Sequence, residues 1–227
     1  MKRLFDIFAS GLAIAILSPL LLAVIVILRF TGEGEIFYRQ QRIGRGGRMF
    51  DILKFATMLK NSPNMAGGDI TSGNDPRVLP VGRVLRKTKI NELPQLFNIF
   101  NGDMSIIGPR PLTKRVAALF PAEQWAIINQ LRPGLSGIGS IVFRDEERML
   151  DSFDDRTKIY SEVIAPYKAA LEIWYSQRQS FWLDLKLITL TVAAVFKPDL
   201  DVQRFFSDLP PPPPELMALK HRASAAA

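Results

Sequence analysis

After Lys2, Arg3 and Asp6 the chain is uncharged from Ile7 to Leu28, long enough to cross a bilayer. Ser18 and Pro19 interrupt this run in its middle. Proline removes a backbone donor and clashes with the carbonyl four residues back, so a kink is expected there, with the serine hydroxyl free to take up the released carbonyl. Basic residues stand at both ends: Lys2 and Arg3 before the run, then Arg29, Arg39, Arg42, Arg45 and Arg48 after it. A simple crossing carries its Lys and Arg excess on one side only, so the pattern predicts a re-entrant helix that returns to the face it entered. No small-residue cleavage pattern follows, and the segment is expected to remain on the mature protein.

Beyond the run the periodicity shortens. EIFYRQQRIG and GRMFDILKFATM, separated by Gly44, Gly46 and Gly47, read as a hairpin or two short strands. Lys54 falls between Leu53 and Phe55, where a snorkelling stem and a substrate ligand both remain open readings. Residues 61–76, rich in Gly, Asn, Ser and Pro, read as a loop able to act as a lid. Val81, Val84 and Leu85 recur at helical spacing, followed by Leu93, Leu96, Phe97 and Phe100, with the two phenylalanines assigned to core. This places Glu92 near a helix start, where free amides favour an anion.

An amphipathic helix is expected over 117–131, ended by Arg132-Pro133-Gly134. A longer helix over 156–179 is expected to kink or break at Pro166. An apolar helix over 181–196 carries Asp184 and Lys186, is too short for a comfortable crossing, and reads as interfacial with Trp182 at headgroup depth, a buried core helix being the alternative. Pro210 to Pro214 and the alanine-rich end predict a stiff, then disordered tail. The fold class is therefore α+β and mainly α: a re-entrant kinked membrane helix (1–30), a small mixed catalytic domain with short strands and interfacial helices (31–200), and a tail (201–227).

Composition narrows the chemistry. The 227 residues carry a formal charge of +7, no cysteine and one histidine. A basic balance favours an anionic partner: nucleic acid, anionic lipid or a phosphorylated substrate. Disulfides, thiolate nucleophiles and Cys-based zinc sites are excluded, and His221 sits in the tail, so acid-base and nucleophilic work falls to Asp, Glu, Lys, Tyr, Ser or Thr. Aromatic residues are not interleaved with Lys and Arg as in nucleic-acid motifs, and the apolar N-terminus has no place in such a protein, so no nucleic-acid partner is expected. The richest stretch is 83–112, where Arg83, Arg86, Lys87 and Lys89 precede Glu92, followed by Asp103 and by Arg110 between two prolines. Cations around an acid suit phosphate held near a metal or a base, and they equally suit a solvated helix face.

KFATM (54–58), NDPRV (74–78), LRKTKINELPQL (85–96) and GDMSIIGPRPL (102–112) resemble the bacterial sugar transferases known as monotopic phosphoglycosyl transferases. LRPGLSG (131–137) and SFWLDLKL (180–187) are similar to further blocks of that family, so the resemblance runs from Lys2 to about Lys197. It implies transfer of a phosphosugar from a nucleotide diphosphate sugar, a UDP-sugar, to polyprenyl phosphate with release of a nucleoside monophosphate, assisted by Mg2+. It also implies a first membrane step of surface glycan synthesis (exopolysaccharide or lipopolysaccharide) at the cytoplasmic face of the bacterial inner membrane, and a Ser18-Pro19 break in the re-entrant helix.

The family's catalytic pair is an adjacent Asp-Glu; here Glu92 matches the glutamate, while Asn91 stands at the nucleophile's position. A neutral carboxamide oxygen is a poor nucleophile. Three readings stay open: a trapping substitution, a mechanism using Glu92 as nucleophile or as base for direct attack by the lipid phosphate, or a catalytically inactive membrane-associated scaffold. The resemblance assigns phosphate binding to Lys54, Arg86 and Arg144, and Arg110's planar fork suits a diphosphate. Glu92 and Asp103 are the metal-ligand candidates, and Glu172 a further metal or orienting carboxylate; a cap or surface ion pair explains Asp103 and Glu172 equally. The sugar is not legible, and monomer and homodimer both remain open.

Overall fold

A computed structural model describes residues 1–65, 75–144, 146–151, 155–197 and 200–225. The chain forms two compact units, one of residues 1–42 and 49–105, the other of 43–48 and 106–227.

In the first unit the uncharged run is one helix, α1 (Lys2–Arg29), long and apolar enough to cross a membrane, with only 17% of its most apolar stretch buried. A core helix of a soluble protein would hide most of that surface, so α1 is a membrane-associating element. Pro19 lies inside it, and the Ser18 hydroxyl donates to the Ala15 carbonyl at 2.8 Å. That carbonyl is the one Pro19 has no N–H to satisfy, so the expected serine compensation is present. The Arg3 guanidinium does more than flank the run: it donates to the carbonyls of Ile99 (2.5 Å) and Phe100 (2.7 Å), which close the helix α3 described below. Asp6 is buried and accepts from the Ser105 hydroxyl at 2.8 Å.

The glycine-separated runs pair as a two-stranded sheet, β1 (Phe37–Ile43) with β2 (Met49–Phe55), as the pattern predicts. Then follow α2 (Pro80–Lys87), a 3-10 turn (Ile90–Glu92) and α3 (Gln95–Asn101). Gly82 is required by contact, since a Cβ there would stand 2.2 Å from the Thr57 carbonyl oxygen. The core of this unit joins Leu21, Val24 and Leu28 of α1 to Phe55 and Leu85, with Ile90 and Leu93 packed against it. Phe97 and Phe100 are not core residues: they are 40% and 46% exposed. Leu96 and Ile99 take the inner face of α3, which leaves both phenylalanines on the opposite side, with the Phe100 ring over Gly11 of α1.

A second two-stranded sheet pairs β3 (Ser105–Ile107), which starts at the last residue of the first unit, with β4 (Gly134–Ser136) of the second. The helix expected over 117–131 is replaced by two, α4 (Lys114–Ala117) and α5 (Ala122–Ile128). Pro121 explains the division, because it biases Phe120 away from helical dihedrals and caps the second helix. Short helices α6 (Ile138–Val142), α7 (Glu146–Asp151) and α8 (Arg156–Ile159) lead through a π-helical turn (Tyr160–Ile164) into α9 (Ala165–Arg178). The break anticipated at Pro166 is thus a π turn immediately before it.

Helix α10 (Phe181–Phe196) is capped by Ser180 and buries Asp184, Leu187, Leu190 and Ala194, while Trp182, Val192, Val195 and Phe196 are exposed. One face is core, as the buried-helix alternative expects, and the other is an exposed apolar surface. The tail differs from a disordered segment. Pro214–Ala225 forms α11, with Leu216 and Leu219 buried, and the Pro210 carbonyl accepts from Tyr167 and Gln203. A proline run fixes the approach, and two apolar side chains one turn apart supply the burial.

Candidate functional site

In the first unit β2 projects Lys54 and the 3-10 turn projects Glu92, whose Oε1 lies 3.4 Å from Lys54 Nζ. Both side chains are mostly enclosed, at 17% and 14% exposure, so the pair is screened far less than a surface ion pair. Lys54 therefore faces a carboxylate rather than lipid. The turn is fixed on both sides, because Ile90 and Leu93 pack on the core cluster. The strand is fixed by Asn98 of α3, which accepts from the Leu53 N–H and donates to the Asp51 carbonyl, both at 2.9 Å. Asn91 is 5% exposed, and its Oδ1 has no hydrogen-bond partner among the described residues. A buried carbonyl-type oxygen without a donor is costly unless a ligand supplies what the protein does not.

Asp75 and Arg77 form a pair that sequence reasoning passed over, although both lie in a quoted motif. Arg77 is 3% exposed; its Nε and NH2 meet the two Asp75 oxygens at 2.9 and 2.5 Å, and NH1 donates to the Ser62 carbonyl at 3.2 Å. The Asp75 carboxyl is held below its usual range by the Arg77 hydrogen bonds, with Arg86 adding a smaller attraction. Arg86 of α2 is thus within electrostatic reach of Asp75. Asn74 and most of the lid candidate, 66–74, lie outside the described residues. Asp103 is exposed, with its Oδ2 accepting from Asn98 at 3.3 Å.

In the second unit Arg110 is exposed between Pro109 and Pro111, on the rim of a pit shared with Gly44, Trp125, Ile128 and Asn129. The backbone before it is set by glycine contacts: Gly108 donates to the Ser136 carbonyl at 2.9 Å and Gly134 to the Pro109 carbonyl at 2.8 Å. A Cβ on Gly134 would come 2.1 Å from the Gly108 nitrogen, so only glycine permits this approach. Arg144 is half-buried, and its NH1 has no hydrogen-bond partner among the described residues. Residues 145 and 152–154, shortly after it, lie outside the described residues.

Lys168 of α9 is a cation that the sequence did not single out. It pairs with Glu146 and lies 5.1 and 5.3 Å from the ring centroids of Phe143 and Tyr160. Burial pulls its pKa down, but Glu146 and Tyr160 outweigh that and leave it raised, with Arg110 opposing. Four residues on, Glu172 is buried; burial pushes its carboxyl up to about 7, while a hydrogen bond from the Gly139 N–H and the Lys168 charge act the other way. Neither is exposed by sequence pattern, since an i, i+4 Lys-Glu spacing normally marks a surface pair. Among the described residues no group of three or more His, Cys, Asp or Glu side chains could hold a metal ion.

The model of a family described as bacterial sugar transferase matches residues 1–198, and the chain belongs to that family. It is 36% identical over 196 residues to the UDP-N-acetylgalactosamine-undecaprenyl-phosphate N-acetylgalactosaminephosphotransferase of Aeromonas hydrophila, covering 86% of this chain and 43% of that protein. It is 32% identical over 208 residues to the exopolysaccharide production protein ExoY of Rhizobium meliloti (strain 1021), covering 86% and 84%. It is 35% identical over 202 residues to the UDP-glucose:undecaprenyl-phosphate glucose-1-phosphate transferase of Caulobacter vibrioides, covering 87% and 70%. The chain thus spans less than half of the Aeromonas protein and most of the other two.

Proposed function

We propose that this protein transfers a sugar phosphate from a UDP-sugar to undecaprenyl phosphate at the cytoplasmic face of the inner membrane, the initiating step of a surface polysaccharide. The observation that carries this reading is the enclosed Lys54–Glu92 pair, with Asn91, next in sequence to Glu92, holding a buried oxygen that has no hydrogen-bond partner among the described residues, in the same unit as the apolar α1. The relatives' names supply the substrate class.

The reaction on this chain is a direct displacement. A lipid-phosphate oxygen attacks the sugar-bearing phosphorus, the bond from that phosphorus to the bridging oxygen breaks, and UMP leaves with the electron pair. A lipid phosphate is already anionic near neutral pH, so a protein nucleophile is dispensable and catalysis lies in positioning and charge neutralisation. Lys54 and Arg86 neutralise phosphate charge in the first unit, while Arg110 and Arg144 are the corresponding cations of the second. Mg2+ needs only one or two protein oxygens when phosphates provide the rest, and the Glu92 carboxylate with the Asn91 Oδ1 fits that donor set. Held there, the ion would supply charge neutralisation to the phosphates.

A panel of UDP-sugars with and without undecaprenyl phosphate and Mg2+ tests the reading by UMP release. Direct displacement predicts no UMP until the lipid is added, whereas Asn91→Asp gains a lipid-independent burst of about one UMP per protein. A burst from the unaltered chain would overturn direct displacement. No UMP with any sugar would favour the scaffold. For the anchor, the basic flanks and Pro19 favour a re-entrant path. Reporter fusions before Lys2 and after Arg48 are expected on the same side, and opposite sides would rule that path out.

A further inference from the structure

In the first unit a cavity of about 310 Å³ opens where α1 ends and α2 begins, lined by Leu28, Thr31, Gly32, Leu79, Pro80 and Val81. That volume lies at the small end of ligand pockets, roughly 300–1,000 Å³. Its one polar side chain is turned away, since the Thr31 hydroxyl donates to the Ile27 carbonyl at 2.7 Å. Water needs two to four polar partners to be held, and these walls do not offer them, so the space suits a hydrocarbon. Gly32 packs directly on the Leu79 side chain of the opposite wall: a Cβ there would stand 2.8 Å from Leu79 Cδ1, and the residue's φ of +56° favours glycine besides.

We propose that this cavity seats part of the isoprenoid chain of the polyprenyl phosphate acceptor, an inference that rests on the transfer reading above. Two features select that occupant. The exposed apolar surface of α1 includes Val26 and Ile27, next in sequence to Leu28 of the cavity wall, so the lining continues the apolar end of the helix that a lipid chain would lie along. The inner wall then leads to the reactive turn. Leu28 belongs to the core cluster, and Val81, Ile90 and Leu93 all pack against it, so cavity and turn share one apolar layer, with Asn91 and Glu92 between Ile90 and Leu93. An acceptor whose tail sits here is tethered in the unit that carries Lys54 and Glu92. An ordinary phospholipid carries its phosphate as a diester and has no terminal phosphomonoester to deliver to that pair.

The test uses the full chain in phosphatidylethanolamine/phosphatidylglycerol nanodiscs, with two photoreactive probes compared: a diazirine-tagged geranylgeranyl phosphate and a diazirine-tagged palmitoyl phospholipid. The isoprenyl probe is expected to label 28–32 and 79–81, with the label competed by undecaprenyl phosphate, while the phospholipid probe marks only the exposed face of α1. Equal labelling of the cavity by both probes, or isoprenyl label confined to α1, overturns the proposal. Leu79→Trp, which fills the space, is expected to raise the KM for undecaprenyl phosphate at least about tenfold by removing chain burial, with the KM for the UDP-sugar within twofold. Should that variant fail to fold, the labelling of the unaltered chain still decides. UMP release with an unlabelled cavity sinks the pocket alone; a labelled, competed cavity with no UMP from any sugar sinks the transfer reading alone.

Discussion

Glu92→Gln is expected to lower UMP release by about a thousandfold under saturating UDP-sugar and undecaprenyl phosphate, at unchanged membrane association. The carboxylate faces the Lys54 ammonium at 3.4 Å in a mostly enclosed place, where the local dielectric is low and charge counts heavily. The amide has nearly the same shape but removes the counter-charge and, with it, the carboxylate proposed above to hold Mg2+. Lys54 would then hold phosphate too tightly in the ground state, or swing away from it, and both raise the barrier relative to bound substrates. Because the interaction belongs to the reacting state, the loss should fall on kcat more than on either KM. The companion Lys54→Met should reproduce part of the loss, and the double variant should fall well short of the product of the two, since the residues act as a pair. Release within tenfold of the unaltered chain would remove Glu92 from the chemistry.

Much of this site was legible, and the reason differs by residue. The Pro19 gap and its serine partner follow from two adjacent letters, because helix geometry alone decides which carbonyl is orphaned. The hairpin is legible from glycines that permit positive φ at Gly46 and Gly47. Glu92 and Lys54 stand 38 positions apart, and charge pattern alone could not pair them; motif resemblance pointed to both, and only the fold shows that they meet.

Other features depend on which face a side chain takes, which short apolar stretches leave undetermined. Phe97 and Phe100 read as core because a helix of seven residues has too few turns to fix its inner side, and Leu96 and Ile99 won it. The 117–131 reading gave weight to apolar spacing and too little to Pro121. The tail was read by composition, yet Leu216 and Leu219 suffice to dock a helix. Arg77 and Lys168 show the opposite limit. A buried cation is visible only once its acid is brought to it, Asp75 from two positions away and Glu146 from 22.

The same limit governs Glu172, whose burial makes the stability of this protein depend on pH in a direction opposite to that of a paired carboxylate. Its pKa rises from 4.5 to about 7 on folding. Between those values the folded state holds a proton that the unfolded state has released, so stability falls as pH rises through this window and is level above it. The loss amounts to about 3 kcal/mol, from about 1.4 kcal/mol per pKa unit. Helices around it offer little relief. Lys168 is engaged with Glu146, and the Oε2 of Glu172 has no hydrogen-bond partner among the described residues. Glu172→Gln keeps an acceptor for the Gly139 N–H and cannot ionise. The variant should therefore match the unaltered chain in thermal melts near pH 5 and exceed it by about 3 kcal/mol near pH 8, on the order of 10 °C in Tm. Melts in nanodiscs at both pH values, followed by tryptophan fluorescence, read this difference. Equal stabilisation at pH 5 and pH 8, or none at either, would show that Glu172 stays ionised throughout and that the Gly139 contact and the Lys168 charge outweigh its burial.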